Sequence, residues 1–130
     1  MKNIVLLGGG PEQVDAIKIS KALGYHTIVL DSNEFAIGRK LSNKFIQCDI
    51  TNPSEVLKNI ENLNVNGLMV HAIELSHVVA EVSEKLGLPN ISKNTAINTT
   101  DKLKRLEIHK KNHIPCPEFS SATNLTEAKK

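Results

Sequence analysis

The chain has 130 residues, 40% of them hydrophobic and 23% charged, with a formal net charge of +2, enough for one buried core and short for two. That charge is too small to argue for a nucleic-acid partner, and 3% aromatic residues without a single Trp leave little from which to build base-stacking platforms. No apolar run approaches the length of a membrane span, so no membrane partner is expected, and Cys48 and Cys116 fit no C-x-x-C pattern and read as two reduced core thiols of a cytoplasmic protein.

Ile4–Leu7 predicts a buried strand. Gly8-Gly9-Gly10 then lets the backbone turn sharply and approach a ligand closely, and Pro11 suits the first turn of a helix. Such a strand–turn–helix start aims backbone N–H groups and a positive helix end at one point, suited to phosphate or carboxylate. The spacing of Val14, Ile17, Ala22 and Leu23 predicts a helix over 12–23, stopped by Gly24. His26–Leu30 is a second strand ending at Asp31, and 32–40 is an irregular segment or short helix that Gly38 breaks. Lys44–Cys48 is a third, shorter strand.

Asn52-Pro53-Ser54-Glu55 is a helix start: a capping side chain, Pro at the first position, and Glu reaching back. Val56, Leu57, Ile60 and Leu63 face inward from this helix. Gly67–Val70 is a fourth strand, and a helix from Leu75 to Leu86 turns Val78, Val79, Val82 and Leu86 inward before Gly87 closes it. Pro89–Ser92 leaves room for one short edge strand, and 93–98 for a helical turn. A last helix over Asp101–Lys111 packs Leu103, Leu106 and Ile114 and presents a solvated basic face. Pro115 and Pro117 force an extended strip through Phe119, an uncovered edge that invites association, for instance as a homodimer. Asn124-Leu125-Thr126-Glu127 repeats the capping signature, so the chain is expected to end at the entrance to another domain. The expected division is an α/β domain over 1–114, then a linker and the opening of the next domain over 115–130.

Strands alternating with helices at this spacing predict an α/β fold with an open, doubly wound, mainly parallel sheet, Rossmann-like, with helices on both faces. Its ligand crevice lies at the carboxyl ends of the strands. Gly8-x-Gly10-x-x-Gln13 with Asp31 resembles a dinucleotide fingerprint, which makes an NAD(P)-binding module one reading. Gln13 in place of the third glycine argues against it, and no G-K-[ST] follows for a Walker loop. Glycines needed only for a tight turn are the bland alternative. His71 and His77 stand six apart, which is not zincin spacing, and no metal is expected at His71, Glu74 and His77. His71 and Glu74 follow the fourth strand on the same rim as the glycines and Asp31, where a carboxylate could meet an amine or hydroxyl of a small substrate. Glu74 as a plain helix cap is the simpler alternative. A non-catalytic flavodoxin-like interaction domain is a third reading of the whole chain.

Taken together, several blocks resemble the N-terminal (pre-ATP-grasp) domain of ATP-grasp ligases, the superfamily of biotin carboxylase, carbamoyl-phosphate synthetase and glycinamide ribonucleotide synthetase. They are Gly8–Gln13 after the first strand, Leu30-Asp31-Ser32-Asn33 with Gly38-Arg39, Val70–Glu74, Leu86–Pro89, and Thr100-Asp101-Lys102 through Ile114-Pro115-Cys116-Pro117. The resemblance covers residues 3 to about 120. It implies a substrate-side domain of an ATP-dependent carboxylate–amine ligase working through an acyl phosphate. Lys102 would correspond to a basic residue that contacts ATP, and Gly8, Gly9, Gly10 and Glu12 to a turn that holds the carboxylate or amine substrate. Asp31, His71 and Glu74 would be looser correspondences on the same rim. It further implies that ATP and Mg are bound mainly by an ATP-grasp domain, in cis or as a separate chain, and that 1–130 is catalytically incomplete alone.

Overall fold

The computed structural model describes residues 1–129. Four parallel strands, β1 (Asn3–Leu7), β2 (His26–Asp31), β3 (Lys44–Gln47) and β4 (Val65–Val70), form one sheet in the order β3-β2-β1-β4. Crossing helices cover both faces, as the alternation of elements predicts. The 3-10 turn Pro11–Gln13 runs into α1 (Val14–Ala22), and α2 (Gly38–Leu41) leads into β3. On the other side lie α3 (Pro53–Ile60) and α4 (Ser76–Lys85). Then come α5 (Lys93–Thr100), α6 (Lys102–Lys111) and the four-residue α7 (Leu125–Ala128).

The two-residue period of a strand sorts the core into two layers. Val5 and Leu7 of β1, Ile28 and Leu30 of β2 and Leu68 of β4 face Val56 and Ile60 of α3 and Val78, Val79 and Val82 of α4. Leu6 and Val29 point the other way, onto Ile17 of α1, with Leu41, Phe45 and Met69 beside them. Among the described residues the wholly buried side chains are aliphatic apart from Thr27 and Ser83. At roughly 1.5–3 kcal/mol for each large aliphatic side chain fully removed from water, these two layers hold the fold together.

Several local expectations are corrected. The inner face of α1 is Gln13, Ala16, Ile17 and Ser20, at helical spacing, while Ala22 and Leu23 face solvent. Gly38 begins α2 instead of breaking a helix. Ile60 ends α3, yet Leu63 beyond it still packs on the core. Asn52 caps α3 as expected, but Glu55 reaches back to the Asp49 N–H at 3.0 Å and not to the cap itself.

No strand forms at Pro89–Ser92. Pro89 has no N–H to donate to a ladder. Asn90 spends its side chain locally, donating to Ser83 Oγ at 3.1 Å and accepting from the Ile91 N–H at 2.7 Å. Ser92 then caps α5, which is a helix of two turns where one was expected. On α6 no residue is buried, and Leu103 and Ile114 are exposed. Cys48 is a core thiol, but Cys116 is only half-buried.

Candidate functional site

Strand register decides which residues meet. Leu7 pairs with Leu30 on one side and Val70 on the other. The residues immediately beyond, Gly8, Asp31 and His71, therefore lie level at the carboxyl rim of the sheet, where doubly wound folds place their ligands. Gly10, Glu12 and Glu74 extend from the same two loops.

Gly8 turns the chain at φ +94°, a conformation L side chains rarely adopt, and its N–H donates to the Leu30 carbonyl at 2.8 Å. Next, the Gly9 N–H donates to Asp31 Oδ2 at 2.7 Å, while Asp31 Oδ1 accepts from the Asn33 N–H at 2.8 Å. Both carboxylate oxygens are thus engaged by backbone, and Asp31 frames the turn where the dinucleotide reading had it reaching for a ribose. Among the described residues, the Gly10 N–H has no hydrogen-bond partner. The three-glycine cradle expected from sequence comes down to Gly10 and the start of the 3-10 turn, with Glu12 exposed beside it.

Two residues that build this site were not singled out as such in the sequence. The Gly38 N–H donates to the Gly9 carbonyl at 2.7 Å, and a Cβ on Gly38 would stand 2.7 Å from the Gly9 Cα. The backbones touch, so α2 starts against the glycine turn. A glycine between Ile37 and Arg39, with no turn residue beside it, was the available signal of close backbone approach. Gln13 is the second. Its side chain is buried, and Nε2 donates to the His71 carbonyl at 2.8 Å. Reading Gln13 only as a lost glycine missed a tie between α1 and the end of β4.

The loop after β4 leans on the turn from the other side. Ala72 holds φ +57°, rare for a residue with a side chain, and Ile73 Cδ1 occupies the space a Gly8 side chain would need. His71 and Glu74 are exposed on this loop. Glu74 does not cap the next helix, since the N-cap position is Leu75 and no side chain caps it. Glu74 is thereby left facing solvent at the rim. Lys102 is placed elsewhere: it opens α6, exposed, and α6 packs chiefly on α5. The rim residues share the carboxyl ends of β1, β2 and β4, and Lys102 belongs to α6.

The charged groups acting on Cys48, just past β3, are acidic. Burial, then the carboxylates of Glu55, Asp49 and Asp31, push the Cys48 thiol up to about 11. Among the described residues, no group of three or more His, Cys, Asp or Glu comes together as a metal shell. Away from the rim, a cleft of about 530 Å³ lies between α4 and the 88–94 segment, lined in part by Glu84, Asn90, Ser92 and Lys93. None of the rim residues lines it.

No family model matches the sequence, and no curated protein matches it. Solved structures do. Phosphoribosylglycinamide synthetase from Anaerococcus prevotii superposes at a TM-score of 0.81 with 28% identity, over 98% of this chain and 33% of its own. N5-carboxyaminoimidazole ribonucleotide synthetase from Thermotoga maritima gives 0.76 with 23% identity, over 98% of this chain and 35% of its own. N5-carboxyaminoimidazole synthetase from Staphylococcus aureus, complexed with ADP, gives 0.70 with 20% identity, over 86% of this chain and 30% of its own. The chain spans about a third of the length of the proteins it resembles. No helix is long and apolar enough to cross a membrane.

Proposed function

We propose that this chain, which resembles the N-terminal domain of ATP-grasp ligases over nearly its whole length, is the substrate-side part of an ATP-dependent carboxylate–amine ligase. The observation that carries the reading is the 28% identical likeness to phosphoribosylglycinamide synthetase across 98% of this chain and only a third of that one. The rim geometry supports it. Gly10 offers a donor at the start of a helical segment, suited to the anionic end of a small substrate. The exposed Glu74 and His71 offer an acceptor and a titratable ring for its amine or hydroxyl. Asp31 contributes through Gly9, by holding the turn in shape.

For ATP, this chain supplies one exposed cation, Lys102. For Mg, the resemblance to ATP-grasp ligases implies no ligands on this part. We assign both chiefly to an ATP-grasp domain, in cis or on a separate chain. When bound there, ATP would activate the substrate carboxylate as an acyl phosphate. What this chain's residues do is orient the substrate: the Gly10 and Glu12 backbone N–H groups at its anionic end, His71 and Glu74 at the reacting end, with Gly8 and Gly9 shaping the turn.

The test is an amide NMR titration of residues 1–130 with ribose 5-phosphate, inorganic phosphate and glycine, alongside an ATPase assay. The expected result is a saturable shift at Gly10 and Glu12 with at least one of the probes, and negligible ATP turnover. Robust turnover by the isolated chain would overturn the reading, as would tight NADH binding that Asp31→Ala abolishes.

A further inference from the structure

Among the described residues, Gln13 is the only buried side chain that is a carboxamide, with 4% of its surface exposed. Three neighbours define what it does there. Its Nε2 donates to the His71 carbonyl at 2.8 Å, across 58 positions of sequence. Its stem lies beneath the glycine turn: side chains on Gly8 and Gly10 would begin 3.4 Å from Gln13 Cδ and 3.0 Å from Oε1. Ile73 Cδ1 stands 2.5 Å from that same Gly8 Cβ position. Gln13 and Ile73 thus crowd one point over Gly8, and the carbonyl that Gln13 holds belongs to the residue just before Ala72 at φ +57°.

A carbonyl oxygen only accepts, so the bond fixes which way the carboxamide faces: nitrogen to His71, oxygen to Gly10. Other residues would fail for definite reasons. Asn is one methylene too short to reach, and Met fills the same space without a donor. Glu at neutral pH sets a charge against an acceptor. With the donor lost, nothing else among the described residues bonds the His71 carbonyl, and the αL residue beyond it has less to hold it.

We propose that Gln13 is a positioning residue that couples the two halves of the rim, setting the His71–Glu74 segment against the glycine turn so that occupancy of the turn is transmitted to His71 and Glu74. The coupling to occupancy rests on the substrate-binding reading above. The tie itself does not.

The experiment compares wild type with Gln13→Met and Gln13→Asn in the full chain, by 15N relaxation and by NMR titration with ribose 5-phosphate. The amides of Ala72, Ile73 and Glu74 donate to nothing among the described residues, so mobility is what the tie controls. In the variants, order parameters at 72–74 should fall from rigid values near ~0.85 toward ~0.6, with those of β1 and β2 unchanged. In wild type, the probe should shift Gly10 and residues 72–74 together. In Gln13→Met the shift at Gly10 should persist and that at 72–74 should vanish. Unchanged order parameters at 72–74 would overturn the tie. Persistent joint shifts in Gln13→Met would overturn the coupling. If Gly10 of wild type does not respond to the probe, the substrate-binding reading and the coupling fail together, and the relaxation arm still decides the tie. Should Gln13→Met not fold, Gln13→Asn, which keeps a carboxamide too short to reach the His71 carbonyl, must loosen the same residues.

Discussion

The Gly9 N–H and the Asp31 carboxylate meet at 2.7 Å across the ends of two adjacent strands. The second oxygen of that carboxylate holds the Asn33 N–H, so one side chain fixes two loops. Hydrogen bonds to a charged acceptor contribute more than neutral ones, about 1.5–3 kcal/mol where partly buried. Asp31→Ala is therefore expected to destabilise the fold by about 2 kcal/mol in urea denaturation. Asp31→Asn should cost less, about 1 kcal/mol, since its one oxygen can still serve one of the two N–H groups. An Asp31→Ala protein as stable as wild type would mean that the carboxylate is not part of the frame.

Three glycines separate backbone strain from crowding. Gly24 sits at φ +84° with nothing within 4 Å of an added Cβ, so Gly24→Ala carries strain alone, about 1 kcal/mol. Gly38 has an ordinary φ, but its added Cβ would press on the Gly9 backbone and on Ile17 at 2.9 Å, so Gly38→Ala carries crowding alone, about 1–3 kcal/mol. Gly8 has both. The expected order by thermal melting is Gly24→Ala milder than Gly38→Ala, while Gly8→Ala adds to its strain only a contact with the tip of the partly exposed Ile73, which can turn aside. A Gly38→Ala variant milder than Gly24→Ala would contradict the backbone contact between α2 and the turn.

The same residues show what could be read from the sequence. Four strands and the alternation of covering helices follow from apolar runs and caps, and the structure has them. The common rim of Gly8, Asp31 and His71 also follows, because parallel strands bring their ends together. What sequence could not give is where polar side chains turn. Asp31 reads as a free acid until the Gly9 and Asn33 N–H groups are seen on it. Gln13 reads as a missing glycine until its partner, 58 positions away, is found. Pro89–Ser92 has the spacing of a strand, but a side-chain bond between Asn90 and Ser83 wins locally. Helical periodicity in α1 misassigned its inner face because the residues it buries include the polar Gln13 and Ser20.

The two thiols should differ sharply in reactivity. Cys48 is 5% exposed, and burial with nearby carboxylates holds its thiol at about 11, so almost none is thiolate at pH 8. Cys116 is half-buried in the strip after α6, beside Lys110 and Phe119. A maleimide or disulfide reagent at pH 8 should modify one cysteine quickly and the other on the order of a hundredfold more slowly, or only on unfolding. Mass mapping should place the fast adduct on Cys116, and Cys116→Ser should remove it. Fast labelling of Cys48 in the native protein would contradict its place in the core.

The tie between α4 and α5 should be sensitive to acid. Glu81 accepts from Lys93 at 2.6 Å and from Lys85 at 3.2 Å, and these bonds, that to Lys93 foremost, hold its carboxyl below the usual glutamate range. A carboxylate whose folded pKa is depressed adds stability that is present above its unfolded value, near ~4.3, and lost as pH falls through the folded one. Both lysines are nearly half exposed, at 44% and 47%. Solvent and salt therefore limit the gain to no more than about 1 kcal/mol. Wild type should melt about 3 °C above Glu81→Gln at pH 7 in low salt, the gap should close toward pH 3, and 0.5–1 M salt should shrink it at pH 7. Lys93→Met should remove most of the gap, since Lys93 joins the two helices while Lys85 lies on the same helix as Glu81. A gap that persists at pH 3 would show that Glu81 acts through packing and not through its charge.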